Sequence, residues 1–199
     1  MGHIEAFDKM AATYDTPDRK IVAKHSAEAI HRLLNQKTSK TAIDFGCGTG
    51  LLSLELSKDF ESILMIDSSA EMINVVEKKI KDPSFSHLTT KHLDIETNHV
   101  LPQKVDTIFM SLVLHHIADR ESLLVKLSDA IYSGGQLMII EMERSEGSSR
   151  HNQTCSQTEL VEKLPDYKFK NIYTENFYQT VNENGGNSIS LYIISAEKV

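Results

Sequence analysis

The sequence predicts an α/β fold: a doubly wound, mostly parallel sheet with helices on both faces and an antiparallel hairpin at the C-terminus. Two observations predict it. Short apolar and β-branched runs alternate with segments of helical period, and two β-rich runs with turn residues between them close the chain. Strands that alternate with amphipathic helices form right-handed crossovers, which make neighbouring strands parallel and cover both faces of the sheet.

Four strand-like runs and three helical segments make up the alternating part of the chain. The runs are 42–45, 62–66, 105–112 and 136–141, and the helical segments are 51–58, 69–81 and 120–132. Ser68 and Glu71 have capping-box spacing at the start of the second helix. Asp119 is the predicted N-cap of the third helix, which Gly134-Gly135 is expected to end.

The two ends of the chain follow different patterns. Thr16-Pro17 predicts a cap and a first helical turn, with the helix running to about Leu34. A polar loop follows Glu141 and precedes a short helix at 157–164. The closing runs, 170–177 and 188–196, are separated by the turn sequence NENGG and predict an antiparallel hairpin.

Composition and charge exclude several classes of protein. The chain has 199 residues, 40% hydrophobic and 25% charged, which is typical of a folded globular chain rather than a disordered, collagen-like or coiled-coil one. The formal net charge is −7, from 21 basic and 28 acidic side chains. Proteins that bind nucleic-acid phosphates usually carry the opposite balance, so no nucleic acid is expected as a partner.

Neither a membrane span nor a secretory signal is expected. The longest apolar stretch, around 108–114, is far shorter than the ~18 residues that a membrane helix needs. The N-terminus shows no basic region followed by an apolar core. Cys47 and Cys155 are too few for a disulfide framework, so a reduced, cytoplasmic setting is the natural expectation.

The most informative stretch is AIDFGCGTG, at 42–50. A buried strand runs directly into a turn with glycines at 46, 48 and 50, and a helix follows. Glycines are needed where the backbone approaches a ligand closely or takes a positive φ. In doubly wound sheets this strand, turn and helix form the element that cradles a nucleotide. The alternative is a tight turn that binds nothing.

Two acidic residues follow later strand-like runs. Asp67 ends the run ILMID, where a carboxylate can accept both ribose hydroxyls of an adenosine ligand. A simpler interpretation is that Asp67 helps Ser68 to cap the next helix, and both roles are compatible. Asp94 lies in HLDIE, where its carboxylate can accept a hydrogen bond from an adenine amine. An aspartate near a strand end is common, so Asp94 alone is a weak signal.

The chain resembles the class I S-adenosylmethionine-dependent methyltransferases in motifs that extend from about residue 7 to residue 141. These motifs are Asp44-x-Gly46-x-Gly48-x-Gly50, Asp67, Asp94 and DTIFMSLVLHHI at 106–117, with DSSAEMI and FDKMAATYD as further matches. The chain is most similar to the small-molecule branch that includes the ubiquinone and menaquinone-type enzymes. The resemblance implies a Rossmann-like sheet of seven strands that ends in an antiparallel hairpin.

The resemblance also implies one methyltransferase domain over 1–199. Its expected parts are an N-terminal helical lid at 1–40, a cofactor-binding core at 41–142, a loop insertion at 143–157 and a C-terminal helix and hairpin at 158–199. No part is large enough to form a separate recognition domain. We therefore expect the lid, the loop insertion and the His115-His116 loop to select the substrate.

The family's cofactor contacts transfer onto matching positions. The resemblance implies that the glycine turn lines the methionine part of S-adenosylmethionine, through Gly46, Cys47, Gly48 and Gly50. Asp44 is expected near the amino group of the cofactor, directly or through water. Asp67 would hold the ribose hydroxyls with Ser68 alongside, Met72 would pack near the adenine, Asp94 would meet the adenine amine, and Ile95 would cover the ring.

Further expected site residues come from outside the glycine turn and the acidic strand ends. Ser111, at the end of a strand, is expected beside the amino-acid end of the cofactor, and Tyr14 is expected to close over it. His115 and His116 are candidates for a general base or a substrate contact, since histidine titrates near neutrality. One of them could equally cap or pack. Glu141 and Glu143 are expected to face the acceptor pocket, where they could bind a cationic amine, or to be solvated loop carboxylates.

A nicotinamide-dependent oxidoreductase is the less favoured enzyme class. Its fingerprint is Gly-x-Gly-x-x-Gly. Counting from Gly46 the last position is Leu51, and counting from Gly48 it is Ser53, so neither register supplies the final glycine. No metal site is expected, because the His-His pair lacks further ligands at a diagnostic spacing.

The sequence therefore predicts transfer of a methyl group from S-adenosylmethionine to a small-molecule acceptor by in-line displacement, with S-adenosylhomocysteine as product. The motifs of two kinds of DNA methylation are missing. The strand end where the motif for exocyclic-amine methylation is expected reads MSLVLHH instead, and the Pro-Cys pair typical of cytosine ring methylation is absent from the sequence. A binding module that holds the cofactor without turnover is the alternative from another class. The acceptor, the methylated atom and the oligomeric state are left open.

Overall fold

The computed structural model of the chain describes residues 2–35, 39–95, 97, 100–143, 156–180 and 189–199. Cys155, most of the predicted loop at 143–157 and the predicted NENGG turn lie outside these residues.

The described strands form a seven-stranded sheet in the order β3-β2-β1-β4-β5-β7-β6. The strands are β1 Thr41–Phe45, β2 Ser62–Asp67, β3 Leu88–His92, β4 Val105–Ser111, β5 Ile131–Met142, β6 Phe169–Thr180 and β7 Ile189–Lys198. Strands β1 to β5 pair in parallel, whereas β7 lies antiparallel between β5 and β6. The predicted sheet, its parallel part and its C-terminal antiparallel pair are confirmed.

Six α-helices connect or flank these strands in the described chain. They are α1 Gly2–Met10, α2 Pro17–Leu33, α3 Leu51–Glu55, α4 Ala70–Lys79, α5 Arg120–Asp129 and α6 Gln157–Lys163. None of these helices is both long and apolar enough to cross a membrane.

The helix starts agree with the sequence at two positions and differ at a third. Thr16 caps α2 by accepting from the Arg19 amide, and Asp119 caps α5 by accepting from the Ser122 amide. At α4 the capping-box assignment to Ser68 is wrong by one residue. Ser69 is the N-cap, and its hydroxyl accepts from the amide of Met72, three residues on.

Gly134-Gly135 does not end the helix before it. Helix α5 already ends at Asp129, and β5 begins at Ile131. Val105 pairs with Ile131 but Thr107 pairs with Gln136, so the two glycines lie in a register shift within β5. Glycine punctuates helix ends and strand bulges alike. The sequence signal for a break was therefore correct, while its assignment to the helix was wrong.

The two faces of the sheet bury separate apolar clusters, as alternation along a strand requires. On β4, Ile108 and Met110 belong to the cluster that includes the inner residues of α5. Phe109, between them, belongs to the cluster that includes residues of α2, α3 and α4. Helices on both faces confirm the doubly wound arrangement, which brings the carboxyl ends of the parallel strands to one edge.

A single carboxylate ties the start of β1 to the start of β4. Asp106 Oδ2 accepts from the amide of Thr41 at 2.8 Å, from its hydroxyl at 2.9 Å and from the amide of Lys40 at 3.1 Å. The hydroxyl of Thr41 in turn accepts from the Asp106 amide at 3.1 Å. This group fixes the central strand pair at the edge opposite to the carboxyl ends.

Asp106→Ala is expected to lower the free energy of unfolding by about 2–4 kcal/mol, because it leaves the two partly buried donors of Thr41 and the exposed amide of Lys40 without their acceptor. Urea denaturation measures the change. As a control, the exposed Asp166→Ala is expected to stay within about 0.5 kcal/mol of the unsubstituted protein. Equal changes in the two variants would contradict the assigned role of Asp106.

Candidate functional site

The glycine turn leaves β1 and is fastened to the neighbouring strand. The amides of Gly46 and Cys47 both donate to the carbonyl oxygen of Ile66 on β2, at 2.8 and 2.9 Å. The amide of Gly50 donates to the carbonyl of Cys47 at 2.9 Å and closes the turn before α3 begins. The turn is therefore held rigidly at the carboxyl ends of β1 and β2.

Gly46 is the position where this turn depends most on glycine. Its φ is +72°, in the left-handed region that other residues rarely adopt. A Cβ atom at this position would lie 2.4 Å from Cγ2 of Val113, closer than atoms can pack. The bare backbone of Gly46 and the side chain of Val113 therefore meet at the wall of a pocket.

This pocket lies along the carboxyl ends of the first four strands, where ligands bind in doubly wound sheets. It is lined by residues from the N-terminal segment and from the segments that follow β1, β2, β3 and β4. These residues are Ile4, Phe7, Tyr14, Phe45, Gly46, Gly48, Ile66, Asp67, Ser68, Met72, Leu93, Asp94, Ile95, Ser111, Leu112, Val113, His116 and Ile117.

Most of the predicted cofactor-binding residues come together in this lining. They are Tyr14, Gly46, Gly48, Asp67, Ser68, Met72, Asp94, Ile95 and Ser111, joined by the candidate base His116. The lining formed by the described residues does not include Asp44, Cys47, Gly50 or His115. The assigned contacts of all these residues to a cofactor stay predictions.

Asp67 ends β2 and organises the middle of the pocket. Its Oδ2 accepts from the amide of Gly48 and its Oδ1 from the amide of Ser69, both at 2.8 Å. Burial raises the pKa of this carboxyl above its ordinary value, and the backbone donors oppose that effect. Each carboxylate oxygen has a second lone pair, so Asp67 can still accept hydrogen bonds from the hydroxyl groups of a ligand in the pocket.

Next to Asp67, an apolar cleft continues between β3 and α4. Met72 and Ile95 are buried, and Asp94 lies beside Ile95 in the lining. Leu93 also lines the cleft and donates its amide to the carbonyl of Asp67 at 2.9 Å. Two apolar side chains with a carboxylate at the edge suit a flat ring that carries an amine.

Asp44 lies within β1 and is buried outside the pocket lining. Its side chain is enclosed, with the residue only 2% exposed, and Oδ2 accepts from the hydroxyl of Ser53 at 2.7 Å. Burial raises the pKa of Asp44 to about 7, the hydrogen bond from Ser53 opposes the rise, and the charge of Asp67 adds to it. This carboxyl therefore titrates near neutral pH.

The N-terminal segment is tied to the core by two aspartates. Asp8 Oδ1 accepts from the hydroxyl of Ser69 at 2.5 Å. Asp15 accepts from the hydroxyl of Thr49 at 2.5 Å and forms an ion pair with Lys79 at 2.6 Å. These contacts attach the segment to α4 and to the glycine turn, so that it lies against the pocket.

The aromatic side chains of this segment face the pocket. Phe7 makes an edge-on contact with the ring of His116, with centroids 5.1 Å apart, and lies 6.5 Å from the ring of Tyr14. Arg19 stacks 3.8 Å from the centroid of Tyr14 and donates to the Tyr14 carbonyl at 2.9 Å. Burial raises the pKa of the Tyr14 hydroxyl, which stays protonated at neutral pH.

The segment after β4 supplies pocket residues that sequence reasoning missed. Leu112 has a φ of +59°, which is uncommon for a residue other than glycine and is often found at functional sites. Leu112, Val113 and Ile117 line the pocket on either side of a 3-10 turn at Leu114–His116. Their position directly after the strand end at Ser111 was the available signal.

The adjacent histidines have different surroundings. Nδ1 of His115 lies 2.8 Å from Oε2 of Glu141, and Glu141 is only 1% exposed. His116 lines the pocket, with its ring centroid 4.0 Å from that of His115. The expectation that Glu141 is a solvated carboxylate or faces the acceptor is wrong, because its oxygens are used by the turn that carries the histidines.

Sequence comparisons place this arrangement among known proteins. A family model described as a methyltransferase domain matches residues 43–137. An uncharacterized methyltransferase of Schizosaccharomyces pombe is 27% identical over 114 residues, covering 54% of this chain and 40% of the relative. The ubiquinone biosynthesis O-methyltransferase of Methylococcus capsulatus is 25% identical, covering 73% of this chain and 63% of the relative. The chain thus spans less than two thirds of either relative.

Solved structures share the fold at lower identity. A SAM-dependent methyltransferase from Aquifex aeolicus superposes with a TM-score of 0.70 at 19% identity, covering 96% of this chain and 98% of that one. The magnesium protoporphyrin IX methyltransferase of Synechocystis, with SAM bound, superposes with a TM-score of 0.68 at 17% identity, covering 91% of this chain and 80% of that one. The [4+2]-cyclase SpnF superposes with a TM-score of 0.72 at 16% identity, covering 88% of this chain and 80% of that one.

The fold and the pocket define a doubly wound α/β protein with a ligand site where the strand order reverses between β1 and β4. With the glycine turn, the acidic strand ends and the methyltransferase-domain match, that class can be narrowed. Residues 43–137 match a methyltransferase domain, and the fold of the chain is that of class I S-adenosylmethionine-dependent methyltransferases.

Asp44→Asn is expected to raise the free energy of unfolding at pH 8 and to leave it nearly unchanged near pH 4. With a folded-state pKa of about 7 and an ordinary value of 3.8, the folded protein keeps a proton that the unfolded chain loses between these values. Stability therefore falls as pH rises through this window. The amide avoids this loss and gains at most ~4 kcal/mol.

Urea denaturation of both proteins across pH 4–8 measures this difference. A gain that is the same at pH 4 and at pH 8 would contradict the elevated pKa of Asp44.

Proposed function

We propose that this chain transfers the methyl group of S-adenosylmethionine to a small-molecule acceptor and releases S-adenosylhomocysteine. The observation that carries the proposal is the convergence of Gly46, Gly48, Asp67 and Asp94 in one pocket at the carboxyl edge of the sheet. They come from three separate motifs along the chain, and the fold brings them to a single cleft. The methyltransferases among the relatives and structural neighbours named above support the same activity.

The pocket fits an adenosine and an amino-acid group. At one end, the lone pairs of Asp67 suit two ribose hydroxyls, and the cleft formed by Met72 and Ile95 suits the adenine ring beside Asp94. At the other end, Gly46 and Gly48 present bare backbone, which a Cβ atom at residue 46 would obstruct. We propose that the methionine part of the cofactor lies here, near Ser111.

Bound S-adenosylmethionine supplies a methyl group attached to a sulfonium sulfur. The positive charge on this sulfur activates it as a leaving group, and it departs as the thioether of S-adenosylhomocysteine. The chain then has to align an acceptor with that methyl group and exclude water. Ile4, Phe7, Val113 and Ile117 give the pocket an apolar lining near His116. Alignment of two reactants in such a site lowers the barrier by up to roughly 7–11 kcal/mol in the best intramolecular models.

His116 rather than His115 is the proposed base. A base must reach the proton that it removes, and His116 lines the pocket whereas His115 lies outside the lining formed by the described residues. The base is required only where the acceptor atom carries a proton at neutral pH, as in a hydroxyl. A hydroxyl acceptor agrees with the O-methylation named for the Methylococcus capsulatus relative.

The wider setting of the protein is part of the same proposal. A net charge of −7 favours a small acceptor over nucleic acid. A free, buried thiol at Cys47 suits a reducing, cytoplasmic location. We also propose that residues 1–199 act as one domain, since the N-terminal segment and the core both line the pocket.

A second function is favoured by one observation. SpnF has the same fold and is named a [4+2]-cyclase rather than a methyltransferase. A chain that binds the cofactor without transferring its methyl group would use the cofactor-binding part of the pocket and would need no acceptor. Release of S-adenosylhomocysteine in the presence of acceptors distinguishes the two functions.

Asp67→Ala is expected to raise the Kd for S-adenosylhomocysteine by about 10–100-fold, because the variant loses charge-assisted hydrogen bonds to the ribose and a support of the glycine turn. Isothermal titration calorimetry measures the affinity of the two proteins. The exposed Asp82→Ala is the control and is expected to bind within twofold of the unsubstituted protein. Absence of binding by the unsubstituted protein would overturn the proposed function.

His116→Ala is expected to lower kcat by about 100-fold or more with a hydroxyl acceptor, since general base catalysis contributes on that scale. A screen of phenols, alcohols, amines and thiols, read as release of S-adenosylhomocysteine, first identifies the acceptor. His25→Ala, at a half-exposed position of α2, serves as the control and should keep full activity. An unchanged kcat in His116→Ala would remove this histidine from the proposed chemistry.

A further inference from the structure

The 3-10 turn that carries His116 is held by a buried carboxylate on a different strand. Glu141 lies near the carboxyl end of β5 and is 1% exposed. Its Oε1 accepts from the amide of Leu114 at 2.7 Å and, more weakly, from the amide of His115 at 3.4 Å. On the other side, Arg120 Nε donates to the Leu114 carbonyl at 3.2 Å. The backbone of the turn is thus fixed through both its donor and its acceptor groups.

The second oxygen of Glu141 fixes the first histidine ring. Oε2 lies 2.8 Å from Nδ1 of His115, whose side chain is 13% exposed. An ionised carboxylate can only accept, so Nδ1 of His115 carries the hydrogen in this pair. One buried carboxylate therefore sets both the backbone of the turn and the tautomer of the His115 ring.

The second histidine ring is held between two others. The ring of His116 lies 4.0 Å from that of His115, tilted by 46°, and meets Phe7 edge-on at 86°. His115 is the neighbour that Glu141 controls, while Phe7 belongs to the N-terminal segment. A change in the His115 ring therefore reaches His116 by direct contact.

We infer that Glu141 is a positioning residue, which acts through His115 and the 3-10 turn to hold the His116 ring at the acceptor side of the pocket. The inference rests on the proposed function for the role of His116. Glu141 itself lies outside the pocket lining that the described residues form. Its contribution is the orientation of a neighbouring group, as second-layer carboxylates orient the histidines of other sites.

The first test needs no acceptor. Imidazole nitrogens of uniformly ¹⁵N-labelled protein are observed at a pH where both histidines are neutral, with assignment from His115→Gln and His116→Gln. In the unsubstituted protein His115 is expected to carry its hydrogen on Nδ1. In Glu141→Gln the amide oxygen accepts from Leu114 and the NH₂ group donates to His115, so the hydrogen moves to Nε2.

The ring resonances of His116 are expected to shift in Glu141→Gln as well. Glu143→Gln is the matched control, since Glu143 follows the same strand but pairs with Asn176 at 3.4 Å. It should leave the resonances of both histidines in place. Retention of the Nδ1 tautomer and of the His116 resonances in Glu141→Gln would overturn the inference.

The second test is kinetic and uses the acceptor found by the screen. Glu141→Gln is expected to lower kcat by about 10–100-fold while the Kd for S-adenosylhomocysteine stays within twofold. In a His116→Ala background the same substitution should cost less than twofold, because the group that it positions is absent. Equal losses in both backgrounds would show a merely structural role and overturn the inference.

A third variant keeps the test valid where Glu141→Gln folds poorly. His115→Gln leaves Glu141 and its backbone hydrogen bonds intact but removes the ring that contacts His116. The same shift at His116 and a similar loss of kcat are expected. Failure of the proposed function is separate: the unsubstituted protein would then bind no S-adenosylhomocysteine, whatever the tautomer of His115.

Discussion

The site depends on the attachment of the glycine turn to the end of β2. The carbonyl oxygen of Ile66 accepts hydrogen bonds from two amides of the turn. The carboxylate of the next residue, Asp67, accepts a third hydrogen bond from the amide of Gly48. The pairing of β1 with β2 therefore continues beyond the last residues of the two strands. This continuation turns two parallel strands into one wall of a pocket, with a bare backbone and a carboxylate at fixed separation.

The pocket is assembled from short segments that each leave a strand in a fixed direction. Asp67, Asp94 and Ser111 follow or end successive strands of the parallel sheet, and their side chains reach the same cleft because the strands end at the same edge. The strand after them contributes differently. Glu141 on β5 stays buried and supports the turn that follows β4, so the sheet supplies both the lining of the site and its support.

The sequence predicted features in which the signal is local. The glycine turn, the Asp67 strand end and the Asp119 cap are each contained within a few residues, and their neighbours carry the required pattern. Contacts between distant residues could not be predicted in this way. Glu141 meets His115 26 positions away, and Asp8 meets Ser69 61 positions away, through a packing that no local pattern encodes. Gly134-Gly135 was misassigned because glycine marks a helix end and a strand irregularity equally.

The N-terminal segment separates the positions that attach it from the positions that line the pocket. Asp8 and Asp15 bind Ser69, Thr49 and Lys79, whereas Ile4, Phe7 and Tyr14 form part of the lining. Replacement of a lining side chain therefore leaves both attachments in place. Under the proposed function, we therefore expect divergence of this segment to change which acceptor is admitted while the rest of the lining stays as it is, and residues 4, 7 and 14 are the positions that we would vary to redesign specificity.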